Sequence, residues 1–313
     1  MSGLNKANSI DISVCIPAFN DEIAFSRCIE SVCTQTLDNI EIIVSDDSHS
    51  DTIEQAVKKR NDTRIRYKRN FPSLGAPANW NAALKMSQGN IVTLLHQDDW
   101  YRTPDVLAIV CKIMQANDSD IAITGRALFH ENHCIGEYRL PNNATERFLA
   151  DFPIKSLVIN RLGHPSVFFF KKKHLTIQYD ENLLYFSDTD YYSRLITAAN
   201  MVTIYPEALV AISWKKSNQL SNTFRSDPKK TLAELFFVHS KYNCNSYVRG
   251  ISTARLCASN IRHWHSSIVD ILSFIKNRMS YSAFFTTCAS MPFFLAFMAY
   301  RLAYRVTQNK GWG

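Results

Sequence analysis

Polar side chains directly follow two apolar runs of this sequence, and each cluster contains a pair of neighbouring carboxylates. Asp46 and Asp47 follow the run 40–45, and Asp98 and Asp99 follow the run 91–95. Adjacent acids at the end of a buried strand are unfavourable unless water or a ligand stabilises them. Carboxylate oxygens bind divalent cations such as Mg²⁺ and Mn²⁺, which can in turn hold a diphosphate. The pair at 98–99 is therefore a candidate metal site.

The pair at 46–47 suits a different ligand. A carboxylate at the end of a parallel strand can accept hydrogen bonds from a ribose hydroxyl or from the N–H of a nucleobase. Taken alone, each pair is better explained as part of a solvated loop, with an aspartate such as Asp51 capping the helix that follows. The strands and helices predicted around the two pairs distinguish between these interpretations.

Strands and helices alternate along the first part of the chain. Short buried strands are predicted from the apolar runs at 12–18, 40–45, 65–68, 91–95 and 121–124. Helical spacing of apolar residues predicts helices at 22–35, 52–59, 79–86 and 106–115, with Gly89 as the C-cap of the third. This alternation predicts an open, mostly parallel sheet with helices on both faces. Its ligands would bind at the carboxyl ends of the strands, where 17–20, 46–51 and 96–99 converge.

The predicted secondary structure changes twice in the rest of the chain. Strands are predicted at 165–170 and 206–214, with a helix after 187–190, and beyond Trp214 the pattern is helical. Hydrophobic residues make up 46% and charged residues 20% of the chain, as in ordinary globular proteins. None of the eight cysteines forms a C-x-x-C pair, and the first ten residues lack the apolar core of a signal peptide. Both features favour reduced thiols and a cytoplasmic location.

The charge of the chain is unevenly distributed. The net charge is +7, yet the segment from Lys215 onward holds 14 basic and 3 acidic residues, so the residues before it are net acidic. No charged residue occurs between Arg278 and Arg301, although serines, threonines and a proline interrupt this stretch. Three interpretations of 279–300 stay open: a helix lying on a membrane surface, a packed helical hairpin, and a membrane span.

Several short motifs follow one another in the first hundred residues. They are Val14–Asn20 (VCIPAFN), Ser31–Thr36 (SVCTQT), Asp46–Asp51 (DDSHSD), the set Asn70, Gly75, Asn79 and Asn81, and His96–Trp100 (HQDDW). In order and spacing these motifs resemble those of family 2 glycosyltransferases. The resemblance implies a GT-A fold, which is a Rossmann-like, mostly parallel mixed sheet flanked by helices, followed here by a helical C-terminal region.

The resemblance also implies a division of the chain. Residues 1–214 would form the GT-A domain, with a nucleotide-sugar half at about 1–125 and an acceptor half at about 126–214. Residues 215–313 would form the helical, basic and membrane-associated region. The nucleotide-sugar donor would be bound by the following residues: Pro17, Ala18, Asn20, Glu22, Asp46, Asp47, Asn79, Gln97 and Asp98.

The same resemblance assigns a metal to the segment 96–99. Asp98 and Asp99, with His96, would hold Mn²⁺ or Mg²⁺ against the diphosphate of the donor. His96 replaces the acid with which the family motif begins, and a neutral imidazole supplies no negative charge. The arginine that the family places before Asn79 is Ala78 here, so Lys68, Arg69 or Lys85 would have to meet the phosphates.

The catalytic base is assigned to a later segment. Ser187–Arg194 (SDTDYYSR) resembles the family segment that carries the base, and Asp188 takes its position. Family members invert the anomeric centre by direct displacement, so a carboxylate must accept the proton of the acceptor hydroxyl. The alternative is that Asp188 caps a helix beginning near Asp190.

Acceptor contacts are assigned to His164, Trp100 and Trp214. His164 falls where the family places residues that face the acceptor, and aromatic faces suit the C–H surfaces of sugars. Packing in the core is the alternative for all three. The resemblance predicts an enzyme of cell-surface polysaccharide or lipopolysaccharide assembly, with a saccharide or lipid-linked saccharide as acceptor. The basic tail would contact the cytoplasmic face of the inner membrane.

Three other functions compete with this one. A nucleotidyltransferase would use similar acids but normally needs a glycine-rich phosphate loop, and the turn 17–22 has no glycine. A non-catalytic relative that binds nucleotide sugars is compatible with the histidine at position 96. A nucleic-acid binder would suit the basic tail, but that tail carries no zinc pattern or recognition motif, so no nucleic-acid partner is expected.

Overall fold

The computed structural model describes residues 10–139, 162–214, 227–264, 268–280 and 282–292. These residues form two compact units, the first from residues 10–139 and 162–214 and the second from residue 227 onward. The domain boundary predicted at 214/215 falls beside residues 215–226, which lie outside the described part of the chain. The first unit holds every residue that the sequence assigned to the site.

The first unit is built on one mixed sheet. Its strands are β1 (Ile12–Ala18), β2 (Ile40–Asp46), β3 (Ile65–Arg69), β4 (Ile91–Leu94), β5 (Trp100–Tyr101), β6 (Ile121–His130), β7 (His133–Tyr138), β8 (Phe168–Lys171) and β9 (Val202–Ser213). The strand order is β3-β2-β1-β4-β8-β6-β9-β5, and β7 pairs with β6. Strands β3, β2, β1 and β4 are mutually parallel, whereas β8 runs antiparallel to both of its neighbours. The predicted α/β class with a mixed, mostly parallel sheet is confirmed.

Helices cover this sheet. They are α1 (Glu22–Cys33), α2 (Thr52–Arg60), α3 (Ala76–Lys85), α4 (Val106–Ala116) and α5 (Ser187–Ala198). The third helix begins three residues before its predicted start because Pro77 lies in its first turn, where a missing N–H costs nothing. Strands β1 and β2 are buried along their whole length, as expected for parallel strands covered on both faces. The carboxyl ends of β1 and β4 lie at a switch point, because the chain connections that leave these two neighbouring strands lead to opposite sides of the sheet.

The predicted strand at 165–170 is shorter than expected. Residues Pro165–Val167 form one turn of 3₁₀ helix, and the strand begins at Phe168. The proline lacks the N–H that a central strand needs, so the ladder with β4 and β6 starts only after it. This turn brings Ser166 close to the end of β4, where its hydroxyl accepts a hydrogen bond from the His96 amide.

Gly89 does not cap α3, contrary to the prediction. The helix ends at Lys85 with Met86 as its C-cap. Gly89 instead lies against β1, where its N–H donates to the Ser13 hydroxyl at 2.7 Å. A Cβ at this position would lie 2.6 Å from the Ser13 backbone nitrogen, so only glycine fits. Close backbone approach, and not helix termination, explains the residue.

Replacement of Gly89 with alanine is expected to destabilise the protein by about 2 kcal/mol, because an atom is forced against the backbone of a packed strand. Urea unfolding of the variant measures this effect. Gly136→Ala is the matched control, since the nearest atom to its new Cβ is 3.9 Å away. Equal stability of the two variants would contradict the packing argument.

The second unit is helical in its described part. It contains α6 (Pro228–Lys241), α7 (Ser246–Trp264) and α8 (Ile268–Lys276), with a further helical segment at 282–292. Thr287 of that segment is fully buried and donates to the Gly250 carbonyl, whereas Phe285 is exposed. Among the described helices, none is long and apolar enough to cross a membrane. The stretch 279–300 extends into residues 293–300, outside the described part, so its three interpretations stay open.

Candidate active site

Three loops at the carboxyl ends of β1, β2 and β4 are hydrogen-bonded to one another. The amide of Asp47 donates to the Ala18 carbonyl at 2.9 Å. Asn20 has a left-handed conformation with a φ of 49°, which asparagine tolerates. Its amide donates to the Ser48 hydroxyl, and its side-chain oxygen accepts from the His49 amide. The predicted convergence of the strand ends is therefore present in the structure.

Gln97 connects the β4 loop to the β1 loop. Its side-chain nitrogen donates to the Phe19 carbonyl and its side-chain oxygen accepts from the Phe19 amide, both at 2.8 Å. Both polar atoms of Gln97 are used in this way, so in this structure it joins the two loops. Pro17 and Ala18 lie between Gln97 and Asp47 and are buried in β1.

Asp47 organises the loop between β3 and α3. It is 3% exposed, and its carboxylate accepts four hydrogen bonds. The donors are the Asn70 side chain, the Ser73 hydroxyl and the amides of Leu74 and Gly75, at 2.8 to 3.0 Å. A carboxylate has about four acceptor positions, so the protein itself occupies those of Asp47. Asn79 continues the network by accepting from Asn70 and donating to the Ala18 carbonyl.

Asp47→Asn is expected to destabilise the protein by about 3 kcal/mol, because an amide group would face buried N–H donors in place of a carboxylate. Chemical unfolding measures the loss. Asp51→Asn is the matched control, since its exposed carboxylate accepts only from Gln55 among the hydrogen bonds of the described residues. A smaller loss for Asp47→Asn than for this control would show that the loop is held by other contacts.

Asp46 is fully buried beside Asp47 but accepts hydrogen bonds from other residues. Its carboxylate accepts from the Tyr67 hydroxyl at 2.7 Å and from the Ser48 amide at 2.9 Å. Burial, followed by this bond to Asp46, raises the pKa of Tyr67 well above its ordinary value. Of the three cations considered for the phosphates, Arg69 is the last residue of β3, and its guanidinium donates to the His49 carbonyl at 2.9 Å. Lys85 is the last residue of α3, at the end of that helix opposite to the loop that Asp47 organises.

Glu22 is the one predicted donor-binding residue that lies apart from this network. It is exposed in the first turn of α1, and its carboxylate accepts from Ser26 at 3.0 Å. With residues of α1 and α2 it lines a surface groove that also contains Lys59 and Arg60. The structure therefore brings together the other donor-binding candidates but not Glu22.

The candidate metal ligands lie together at the end of β4. One ligand atom from each of His96, Asp98 and Asp99 can be chosen so that all three lie within 4.8 Å of one another. The His96 Nε2 atom is buried and has no hydrogen-bond partner among the described residues. Burial lowers the pKa of His96, so its imidazole is neutral and Nε2 can act as a ligand.

The two carboxylates of this cluster differ in their surroundings. Asp99 is 2% exposed, and it accepts from the Ser166 hydroxyl at 2.5 Å and from the Ser213 amide at 3.2 Å. Burial and then the charge of Asp98 raise the pKa of Asp99 well above its usual range. Within the described residues no hydrogen bond reaches the Asp98 carboxylate. Asp98 is thus the more available ligand, and Asp99 also anchors the loop.

Arg27 of α1 lies next to this loop. Its guanidinium donates to the Asp98 carbonyl at 3.2 Å and to the Ser213 hydroxyl at 2.9 Å. It also lies 3.6 Å from the ring centre of Trp100, a cation–π contact. Arg27, Ser166 and Ser213 were not predicted from the sequence, because their partners lie far away along the chain.

Asp188 lies in the first turn of α5, which begins at Ser187. The alternative that it caps a helix starting near Asp190 is wrong, because the N-cap is Phe186. Its Oδ1 atom is buried with no hydrogen-bond partner among the described residues. Burial raises the pKa of Asp188 from 3.8 to about 7. A carboxylate with this pKa is suited to accept a proton near neutral pH.

The three candidate acceptor residues are partly buried. Burial, and then Arg126 and His96, lower the pKa of His164 to about 3, so its ring is neutral. Trp100 packs edge-on against Phe129 at 4.9 Å, and Trp214 packs on the hydrophobic core. These contacts explain the two tryptophans as packing residues, and an acceptor role for any of the three stays a prediction.

Comparison with known proteins identifies the family. The model of glycosyl transferase family 2 matches residues 13–188. The UDP-Glc:alpha-D-GlcNAc-diphosphoundecaprenol beta-1,3-glucosyltransferase WfgD of Escherichia coli is 29% identical over 134 residues, or 43% of this chain and 53% of that protein. A GalNAc(5)-diNAcBac-PP-undecaprenol beta-1,3-glucosyltransferase of Campylobacter jejuni is 36% identical over 92 residues, or 28% of this chain and 29% of that protein.

Solved structures show the same fold. TarS of S. aureus in complex with UDP-GlcNAc matches with a TM-score of 0.59 and 15% identity over 82% of this chain and 73% of that chain. A mannosyltransferase from Pyrobaculum calidifontis in complex with GDP-Man and Mn2+ matches with a TM-score of 0.56 and 12% identity over 90% and 87%. The chain spans about half or less of the length of the first curated relatives. Since the family model covers more than half of the chain and the fold is GT-A, this protein belongs to glycosyl transferase family 2.

Proposed function

We propose that this protein transfers a sugar from a nucleotide-sugar donor to an acceptor hydroxyl, with inversion of the anomeric carbon and with the help of a divalent cation. The observation that carries the proposal is Asp188, whose Oδ1 atom is buried without a hydrogen-bond partner among the described residues. Its pKa of about 7 suits a general base. A cluster of cation ligands at the end of β4 belongs to the same compact unit.

The residues at the end of β4 fit Mn²⁺ or Mg²⁺. A neutral imidazole with an unpartnered buried nitrogen and two carboxylates form a donor set that Mn²⁺ accepts readily, because it binds both nitrogen and oxygen ligands. Asp98 would be the principal ligand, since Asp99 already accepts two hydrogen bonds from the protein. When bound, the cation would stabilise the negative charge that develops on the leaving nucleoside diphosphate.

Different residues of the chain would bind the donor and accept the proton of the acceptor. The loops at 17–20, 46–51 and 70–75 would bind the nucleoside, with Asp47 holding the third loop in place. Asp188 would accept the proton of the acceptor hydroxyl at Oδ1 while the acceptor oxygen forms a bond to the anomeric carbon. The bond from that carbon to the diphosphate breaks in the same step, and its electron pair leaves with the nucleoside diphosphate. Attack opposite the leaving group inverts the configuration.

The acceptor is proposed from the relatives and from the charge of the chain. The names of the E. coli and C. jejuni relatives describe acceptors linked through a diphosphate to undecaprenol. A lipid-linked saccharide is therefore the proposed acceptor class, in the assembly of a bacterial polysaccharide. The basic segment from Lys215 onward would then hold the enzyme at the cytoplasmic face of the membrane by attraction to anionic lipids.

The experiment that tests this function is a donor panel. UDP-, GDP- and dTDP-linked sugars are incubated with the protein and Mn²⁺, with and without a chelator, and released nucleoside diphosphate is measured. We expect one nucleotide class to be consumed, and only when the metal is present. If no donor is consumed and calorimetry detects no nucleotide binding, the proposal fails. Nucleotide binding without turnover would favour a non-catalytic relative, with His96 in place of the first acid as the cause.

A further inference from the structure

Tyr179 is held firmly at the edge of the candidate active site by a neighbouring helix. The side chain of Asn81 in α3 accepts from the Tyr179 amide at 2.8 Å and donates to the Tyr179 carbonyl at 3.0 Å. The Tyr179 ring stacks on Tyr191 of α5 at 3.9 Å between ring centres, and it meets the Trp80 ring edge-on at 4.9 Å. These contacts from α3 and α5 fix both the backbone and the ring of Tyr179.

The hydroxyl of Tyr179 makes no hydrogen bond within the described part of the chain. The residue is 3% exposed, and the hydroxyl is buried without a hydrogen-bond partner among the described residues. A buried tyrosine hydroxyl normally finds a partner, because leaving it unpaired is unfavourable. A phenylalanine would make the same ring contacts without leaving a buried hydroxyl unpaired. A bound ligand that pairs with the hydroxyl would explain why a tyrosine stands here.

The surroundings of Tyr179 indicate which ligand that is. Tyr191, on whose ring Tyr179 stacks, lies three residues after Asp188 in α5, so Tyr179 packs on the face of α5 that carries Asp188. Burial, and then the charge of Asp188, raise the pKa of the Tyr179 hydroxyl well above its ordinary value. Asp188 Oδ1 is a second buried atom in this region without a hydrogen-bond partner among the described residues, and it is a hydrogen-bond acceptor. Two such atoms close together, one on a donor and one on an acceptor, can both be satisfied by a single hydroxyl group.

Neighbouring tyrosines do not share this position. The Tyr191 hydroxyl is also buried and unpartnered among the described residues, but after burial the group that raises its pKa is Cys15 of β1, in the core. The Tyr192 hydroxyl donates to the Gly163 carbonyl at 3.4 Å. The charge of Asp188 acts on the hydroxyls of Tyr179 and Tyr192 but is not among the causes of the raised pKa of Tyr191. Tyr179 differs from Tyr192 in having a hydroxyl without a hydrogen-bond partner among the described residues.

We propose that the Tyr179 hydroxyl and Asp188 Oδ1 together bind the reacting hydroxyl of the acceptor. Tyr179 donates to one lone pair of the acceptor oxygen, Asp188 accepts its proton, and the remaining lone pair is directed to the donor sugar. This inference rests on the proposed function and adds an acceptor-binding residue to it.

The donor side of the site is linked to Tyr179 through Trp80. The Trp80 ring contacts the Tyr179 ring on one side and the His96 ring on the other, with 5.2 Å between the centres of the Trp80 and His96 rings. Its neighbours in α3 anchor both halves of the site, since Asn79 binds the β1 loop and Asn81 binds Tyr179. This helix therefore fixes the acceptor-binding hydroxyl relative to the predicted metal ligands.

The test compares two variants that each lose one buried, unpartnered hydroxyl, Tyr179→Phe and Tyr191→Phe. The donor is the nucleotide sugar that the donor panel selects. The acceptors are water and a short-chain lipid diphosphate of α-linked GlcNAc. Initial rates of donor hydrolysis and of sugar transfer are measured at varied acceptor concentration, with the Kd of the nucleoside diphosphate by calorimetry and the Tm of each variant.

We expect kcat/KM for the acceptor, or the hydrolysis rate with water, to fall about 10-fold in Tyr179→Phe, which is the usual effect of losing one hydrogen bond to a neutral group. Tyr191→Phe should stay within about twofold of wild type, and both variants should keep the wild-type Kd and an equal or higher Tm. Equal rates in the two variants would overturn the inference while leaving the proposed function intact. A wild-type protein that neither binds nor hydrolyses any nucleotide sugar would overturn both.

Discussion

Asp188→Asn is expected to lower the rate of sugar transfer by about 10³-fold, because the variant keeps the shape of the side chain but cannot accept a proton. Nucleotide binding should be unchanged, since the donor-binding loops follow β1, β2 and β3, whereas Asp188 lies in α5. Steady-state transfer assays and calorimetry with the nucleoside diphosphate measure the two effects. In the wild type, the rate should rise with pH through the pKa of about 7, because only the ionised carboxylate acts as a base.

Asp188→Asn is expected to lower activity but to stabilise the folded protein. The pKa of Asp188 is raised from 3.8 to about 7 by burial, so ionisation opposes folding. The stability that the neutral carboxyl of Asp188 contributes is fully present below the pKa of the unfolded chain. It is lost as the pH rises through the pKa of the folded chain. The advantage of Asp188→Asn should therefore grow between about pH 4 and 7 and then level off at roughly 4 kcal/mol, the free energy that corresponds to a pKa raised from 3.8 to about 7.

Asp118→Asn is the control for this prediction. Asp118 is an exposed aspartate with a φ of 45°, which asparagine also tolerates, and its carboxylate is paired with Lys171 at the surface. It should change neither the transfer rate nor the pH dependence of stability appreciably. An Asp188→Asn variant that retains more than a tenth of the activity would rule out Asp188 as the base.

Asp98→Ala is expected to abolish metal-dependent turnover, with a loss of about 10³-fold, while the free energy of unfolding changes by less than about 1 kcal/mol. The carboxylate of Asp98 has no hydrogen bond from the described residues, so its removal leaves no buried donor without a partner. Electron paramagnetic resonance of Mn²⁺ measures the affinity for the cation directly, without reference to activity. Urea unfolding measures the stability.

Asp99→Ala is the matched comparison, since it removes the neighbouring carboxylate. This variant leaves the Ser166 hydroxyl and the Ser213 amide without their buried acceptor, so we expect a loss of about 2–4 kcal/mol. The pair thus separates binding of the cation from support of the loop. Wild-type Mn²⁺ affinity in Asp98→Ala would show that the cation, if one is used, binds elsewhere. Equal destabilisation by both variants would show that the two carboxylates support the fold alike.

Most strands and helices of the first unit follow from the sequence, although β5 and β7 were not predicted. The runs at 12–18 and 40–45 are rich in isoleucine and valine and end in polar residues, and β1 and β2 occupy the same positions to within one residue. Local chemistry determines such elements, because a parallel strand covered on both faces must be apolar throughout. The motifs at their ends were therefore recognisable in order, and the family and the GT-A fold are confirmed.

The positions of Gly89 and of the start of β8 could not be obtained in this way. Gly89 is required by the approach of β1, whose Ser13 lies far away in the sequence. The turn at 165–167 precedes the residues that pair with β4 and β6, and the hydrogen bond from the Ser166 hydroxyl to Asp99 holds it against the loop after β4. Contacts between distant segments decided both.

The sequence by itself determined the residue types of the site: two pairs of carboxylates at strand ends, an amide-rich loop and a later aspartate. Only the tertiary structure decided how these residues differ from one another. Asp47 is saturated by four donors, Asp99 is anchored by two serines, and Asp98 is left available. Likewise, Asp188 acquires a raised pKa and Tyr179 an unused hydroxyl because residues distant in sequence bury them. Hydrogen-bond partners and burial are properties of the folded chain, and they set the chemistry of side chains that look alike in the sequence.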